Sequence, residues 1–168
     1  RYNVIITLII FVVVATILTR GLFLTTGNLL NVGERASTVG IVALGQMLVI
    51  LTGGIDLSIG SIIAVSFVAL GTLSGMGLPI PIVIILTLAA GMLAGLINGV
   101  LVAKTKVPPF MITLGTNLFF LSLALFLTGA RQLSYVRIQD FLNNTLKLAG
   151  LGSRLFPTIV WIILSIII

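Results

Sequence analysis

The sequence predicts an all-α integral membrane protein: a polytopic helical bundle with one helix broken at Gly53-Gly54. Three observations predict it. Only 7% of the 168 residues are charged and 59% are hydrophobic, whereas a soluble domain carries about 25% charged residues. The mean hydropathy is correspondingly high, at +1.35. Apolar runs succeed one another along the whole chain, enough for about six spans of roughly 20 residues or a little less. One run is interrupted by Gly53-Gly54-Ile55-Asp56-Leu57-Ser58-Ile59-Gly60. An acid at the helix centre costs roughly 2.5–3.5 kcal/mol on insertion scales. Paired glycines cost a helix about 1 kcal/mol each relative to Ala. The expectation is a helix ending at the glycines, a short unwound segment, and a new helix capped by Asp56 or Ser58.

The elements follow in order. Residues 4–18 are apolar apart from two threonines, and Arg20-Gly21 closes them. At 1.5 Å per residue they reach about 22 Å, so flanking residues must help to cross a core of roughly 30 Å. Residues 22–37 alternate apolar and polar side chains, which fits a short interfacial helix or a plain connecting loop. Residues 39–52 form the next run, with Gln46 as its strongly polar side chain. After the glycine break, residues 61–73 lead to a turn rich in glycine and proline at Gly75, Gly77, Pro79 and Pro81.

Residues 82–102 are the clearest single span. Within them Gly91, Gly95 and Gly99 recur every four residues, a ridge expected to let another helix approach closely. Asn98 beside it would either bond to a neighbouring helix or line a path for solute. Lys104, Lys106 and Val107-Pro108-Pro109-Phe110 then impose a bend, since proline restricts both itself and its predecessor. Residues 111–127 span again, with Thr113, Thr116 and Asn117 on one side. In the polar segment 128–156, Ile138, Phe141, Leu142 and Leu146 fall at helical spacing, the pattern of an amphipathic helix on a surface or a partner. Residues 157–168 begin a further span.

Composition also excludes functions. There is no Cys and no His, and the acids are Glu34, Asp56 and Asp140 alone, so thiol chemistry, the usual zinc sites and an acid/base pair are not available. No Walker-type glycine loop occurs, so no nucleotide or other cofactor is expected here. The net charge of +6 comes from basic residues scattered between apolar runs. It fits loops beside lipid headgroups and not a nucleic-acid footprint. The chain opens at Arg1 without Met and closes in an apolar run, so it is expected to be part of a longer protein. A basic residue before an apolar run can mark a signal peptide, but no small-x-small cleavage site follows, and the first segment is expected to remain as an anchor. No clear internal repeat emerges. If every span crosses, Arg1 and Lys104/Lys106 share one side, and Arg20, Arg35 and residues 128–156 share the other. The positive-inside count favours the second set in the cytoplasm, while the short lysine loop argues for the first.

Residues 45–61, Gly45-Gln46-Met47-Leu48-Val49-Ile50-Leu51-Thr52 followed by Gly53-Gly54-Ile55-Asp56-Leu57-Ser58-Ile59-Gly60-Ser61, resemble the signature of ribose-type permeases. These are the membrane subunits of bacterial ABC importers for monosaccharides. Residues 95–104 (Gly95-Leu96-Ile97-Asn98-Gly99-Val100-Leu101-Val102-Ala103-Lys104) and 107–116 (Val107-Pro108-Pro109-Phe110-Met111-Ile112-Thr113-Leu114-Gly115-Thr116) resemble the same family. The likeness runs in order over roughly residues 20–130.

The resemblance implies a single permease domain over residues 1–168, lacking its C-terminal half and the loop that couples it to an ATPase. It implies a multi-pass protein of the bacterial inner membrane, with Arg1 and Lys104/Lys106 inside and residues 128–156 as an extracytoplasmic loop. Its implied partners are an ATP-binding subunit, an extracytoplasmic sugar-binding protein, a second permease copy or paralogue, and the lipid bilayer. A sugar would pass Gln46, Gly53, Gly54, Asp56, Ser58, Asn98, Phe110 and Thr113, while Gly91, Gly95 and Gly99 pack helices. Neutral hydroxyl and amide partners suit an uncharged sugar. For Asp56, capping, sugar contact or both remain open. The alternative reading is an ATP-independent carrier or channel that uses Asp56 as an ion or proton site.

Overall fold

The computed structural model describes residues 2–148 and 155–168, with side chains described for all of these except 147 and 148. Arg1, Arg154 and the Lys147 side chain, which enter the charge count, lie outside the described residues. Among the described residues every regular element is helical: α1 (Asn3–Leu18), a 3-10 turn (Leu22–Leu24), α2 (Thr26–Leu51), α3 (Ile59–Gly75), α4 (Ile80–Lys104), α5 (Pro109–Thr128), α6 (Val136–Leu148) and α7 (Leu155–Ile167). Three of them, α2, α4 and α5, are long and apolar enough to cross a membrane, and α1, α3 and α7 are shorter apolar helices. The chain is a helical membrane protein. It divides into two compact units, Arg1–Leu44 with Leu146–Ile168, and Gly45–Thr145.

In the first unit the expected interfacial segment is corrected. Apart from the 3-10 turn, it is the start of α2, which runs unbroken for 26 residues. That is about 39 Å of helix, more than the roughly 30 Å hydrocarbon core. Residues 26–51 contain no proline, and their glycines stand singly, so nothing stops the helix before residue 53. One polar position of this stretch serves helix packing: the Ser37 and Thr158 hydroxyls of α2 and α7 lie 2.9 Å apart. One turn on, Gly40 faces the Trp161 indole so closely that a Cβ would sit 2.3 Å from Nε1.

The second unit is built around α3, which packs against both α4 and α5. Its C-terminal end lies under the segment that leads into α6. Leu133 seats on Gly71, where an added Cβ would come within 2.8 Å of the leucine. The Tyr135 ring meets Phe67 edge-on at 5.9 Å, and its hydroxyl donates to the Phe67 carbonyl at 3.2 Å. Arg137 donates to the carbonyls of Ser74 and Leu78, at the helix end where a cation is favoured. The amphipathic helix expected in residues 128–156 is α6: Ile138 and Leu146 are buried, Phe141 and Leu142 half-buried, and Gln139 and Asp140 exposed.

Candidate functional site

The glycine pair stops α2 by a specific backbone device. Gly53 takes the left-handed conformation, φ +80°, which glycine alone adopts without a Cβ penalty. Its N–H donates to Ile50 O at 2.9 Å, and the Gly54 N–H reaches back to Val49 O at 3.1 Å. These two bonds form the Schellman arrangement that satisfies the last carbonyls of a helix. Six residues, Gly53 to Ser58, then run without regular structure before α3 begins.

Backbone polar groups cannot stay unpaired at membrane depth, so the neighbouring helices must satisfy this linker. Three of them do. From α2, Gln46 Nε2 donates to Asp56 O at 3.1 Å. From α5, Thr113 Oγ1 accepts the Leu57 N–H at 3.1 Å and lies 3.2 Å from Ile55 O. That same oxygen is 3.0 Å from Pro109 O and 3.3 Å from Phe110 O, so one hydroxyl hydrogen serves the linker and its own helix in turn. From α4, Asn98 Nδ2 donates to Ser58 Oγ at 2.5 Å. Ser58 Oγ passes the chain on, donating to Asp56 Oδ1 at 2.6 Å, and the Ser58 N–H donates to the same oxygen at 2.7 Å. Such lengths belong to bonds onto a carboxylate.

This geometry corrects the expected cap. Ser58 is the N-cap residue of α3, but no side chain bonds the first N–H groups of the helix. Asp56 closes a tight turn one step earlier, binding the residue two positions on, a common use of a short carboxylate in loops. Ser58 serves as a relay instead, and it is fully buried.

Beside the linker lies a cavity of about 220 Å³ lined by Gly54, Ile55 and Asp56 with Gly95, Asn98 and Gly99 of α4, Thr113 of α5, and apolar side chains including Val49 and Val102. Two acceptors in the network have no partner among the described residues: Gln46 Oε1 and Asn98 Oδ1 are buried and unbonded. The amide orientations follow from the network, since Nε2 faces a carbonyl and Nδ2 faces a hydroxyl already donating to Asp56. The site therefore offers hydrogen-bond acceptors and one carboxylate, with no basic group in its lining.

The residues expected on a solute path separate here. Gly54, Asp56, Asn98 and Thr113 line the cavity; Gln46, Gly53 and Ser58 hold the linker without lining it. Phe110 follows Pro109 into α5, is exposed, and is not among the lining residues. The α4 ridge separates too. A Cβ on Gly91 would lie 2.9 Å from Ser66 Oγ of α3, whereas Cβ atoms on Gly95 and Gly99 would meet nothing within 4 Å. Leu133, Tyr135 and Arg137, which strap the segment before α6 and the start of α6 onto the C-terminal end of α3, escape sequence reasoning, because a lone tyrosine or arginine in a polar segment carries no pattern.

Broken helices held by neighbouring side chains beside a cavity recur among membrane transporters. The profile of one family, described as "Branched-chain amino acid transport system / permease component", matches residues 28–168. The chain belongs to that family of permease components. It is also similar to the autoinducer 2 import system permease protein LsrD of Escherichia coli strain K12, with 52% identity over 91 residues. The LsrD proteins of Shigella flexneri and of Escherichia coli O157:H7 match with the same 52% identity. In each case the match takes in 54% of this chain and 28% of the relative's length. No solved structure matches the chain.

Proposed function

We propose that the chain is part of the membrane-spanning permease subunit of an ATP-driven (ABC) importer that carries a monosaccharide or a solute of similar chemistry delivered by a binding protein. The observation that carries this reading is the cavity beside the broken helix, which combines the Asn98 amide, hydroxyls and bare glycine backbone with a single acid. An uncharged polyol can use such a lining in passing, bond by bond. A charged amino acid would want a counter-charge for its ammonium and another for its carboxylate, and the lining offers only Asp56. The family supports the permease role, and the autoinducer 2 permeases among the relatives make that solute an early one to try.

In this reading an ATP-binding subunit drives the cycle, a second permease copy or paralogue completes the path, and an extracytoplasmic sugar-binding protein supplies the solute. The protein sits in the bacterial inner membrane, with the Lys104/Lys106 loop in the cytoplasm and the strap and α6 on the outer side. The test is uptake into vesicles by the full-length permease co-purified from native membranes, with its companions identified by mass spectrometry. Uptake is expected to need ATP and the binding protein. Uptake that follows an ion gradient with no ATPase present would replace this reading by an ion-coupled carrier acting through Asp56.

A further inference from the structure

We infer that Gly95 and Gly99 form the solute-facing wall of the permease, with Asn98 between them as its hydrogen-bond acceptor, and that only Gly91 of this ridge packs helices. The inference rests on the transport reading above and deepens it by naming the residues that set the size limit for the solute. The three glycines are equivalent in sequence, spaced by four on one helix. The fold makes them different. A side chain at Gly91 would collide with Ser66, while Gly95 and Gly99 line the cavity and a Cβ on either would meet nothing within 4 Å.

Asn98 supplies an independent pointer to a ligand. It is 4% exposed, lines the same cavity, and donates one amide hydrogen to Ser58 while Oδ1 has no partner among the described residues. An orphan acceptor of this kind is costly to bury and is relieved by a donor that reaches it. The donor that fits is a hydroxyl hydrogen of a small uncharged polyol. The cavity offers about 220 Å³ beside the two glycines, room for a small ring. Glycine on the wall lets a sugar ring lie against helix backbone, where any larger residue would take its place.

The chain has no cysteine, so a single introduced thiol reports its own surroundings. Gly95→Cys, Gly99→Cys and, as a buried reference, Ser61→Cys are made in the full-length permease within its complex, with any cysteine elsewhere replaced. Methyl methanethiosulfonate should modify the first two about tenfold faster than the third, because thiol reactivity follows exposure. Equal rates would show that another part of the protein fills the space and would overturn the inference. A second measurement does not depend on thiols. Gly95→Ala should leave the melting temperature no lower yet reduce ATP-driven ribose uptake about tenfold, the scale of one methyl in a tight pocket. Unchanged ribose uptake would also overturn it. A wild-type complex that carries no member of a pentose, hexose and autoinducer 2 panel would sink the transport reading itself, while the labelling contrast still decides where Gly95 and Gly99 face.

Discussion

The two ends of α3 are secured by opposite means. At its C-terminal end the strap packs by shape: Leu133 fills the notch at Gly71, Tyr135 meets Phe67 edge-on, and Arg137 meets the last carbonyls. At its N-terminal end the Gly53–Ser58 linker is tied by uncharged hydrogen bonds to three helices, with a cavity at its side and two acceptors left over. Close packing gives one well-defined arrangement and resists change. Hydrogen bonds onto an unwound segment can be exchanged one at a time, with each other or with a hydroxylated solute. The comparison teaches that the acid of the broken helix sits at the adaptable end, while the glycine-mediated close approach to the strap holds the fixed one.

The comparison can be broken first at Asp56. Replacing it by Leu leaves the Ser58 N–H and O–H without their acceptor, and two orphaned donors cost about 2–4 kcal/mol together. Asp56→Leu should therefore lower both the thermal stability of the purified complex and its uptake. Asp56→Asn keeps an oxygen where Oδ1 accepts, and should retain most of both. Normal expression and uptake in Asp56→Leu would remove the linker network from any role.

At the opposite end, Gly71→Ala forces a methyl to within 2.8 Å of Leu133 and 3.1 Å of Tyr135. Overpacking of that kind costs about 1–3 kcal/mol. The melting temperature should fall with little change in the solute preference of the protein that remains folded. A changed preference with intact stability would mean that the strap belongs to the path. Arg137→Ala should cost less, about 1 kcal/mol, because a cation at an exposed helix end is worth little more. Arg137→Lys should recover part of it in the same thermal melt.

The smallest effect in stability is the most discriminating. Gly95→Ala adds a methyl that meets nothing within 4 Å, and should gain about 0.5 kcal/mol from helix propensity and lost unfolded-chain freedom. Gly91→Val, on the same ridge, should lose about 1–3 kcal/mol against Ser66. Equal melting shifts for the two would erase the division of the ridge.

The helical membrane class, the break at Gly53-Gly54 and the amphipathic helix carrying Ile138 and Phe141 were all legible, because each rests on composition or on a short-range period. The length of α2 was misread. Polar residues such as Asn28, Asn31, Glu34 and Arg35 resemble an interfacial segment, and the sequence does not show Thr158 and Trp161 of α7 lying against Ser37 and Gly40. The candidate site was legible as residue types gathered round a glycine break. Its connectivity was not, since Ser58, Asn98 and Thr113 are far apart in the chain and meet only through the packing of α3 on α4 and α5.

By itself the sequence determined what must be local: where lipid-compatible helices form, where glycine ends one, and that an acid follows the break. Those outcomes depend on side-chain hydrophobicity and on φ, which each residue carries with it. The tertiary structure alone decided which of three equivalent glycines touches a neighbour and which faces a cavity, and whether Asp56 caps a helix or closes a turn. Those outcomes depend on which surfaces α3, α4 and α5 turn toward one another, a relation between distant segments that no local pattern contains.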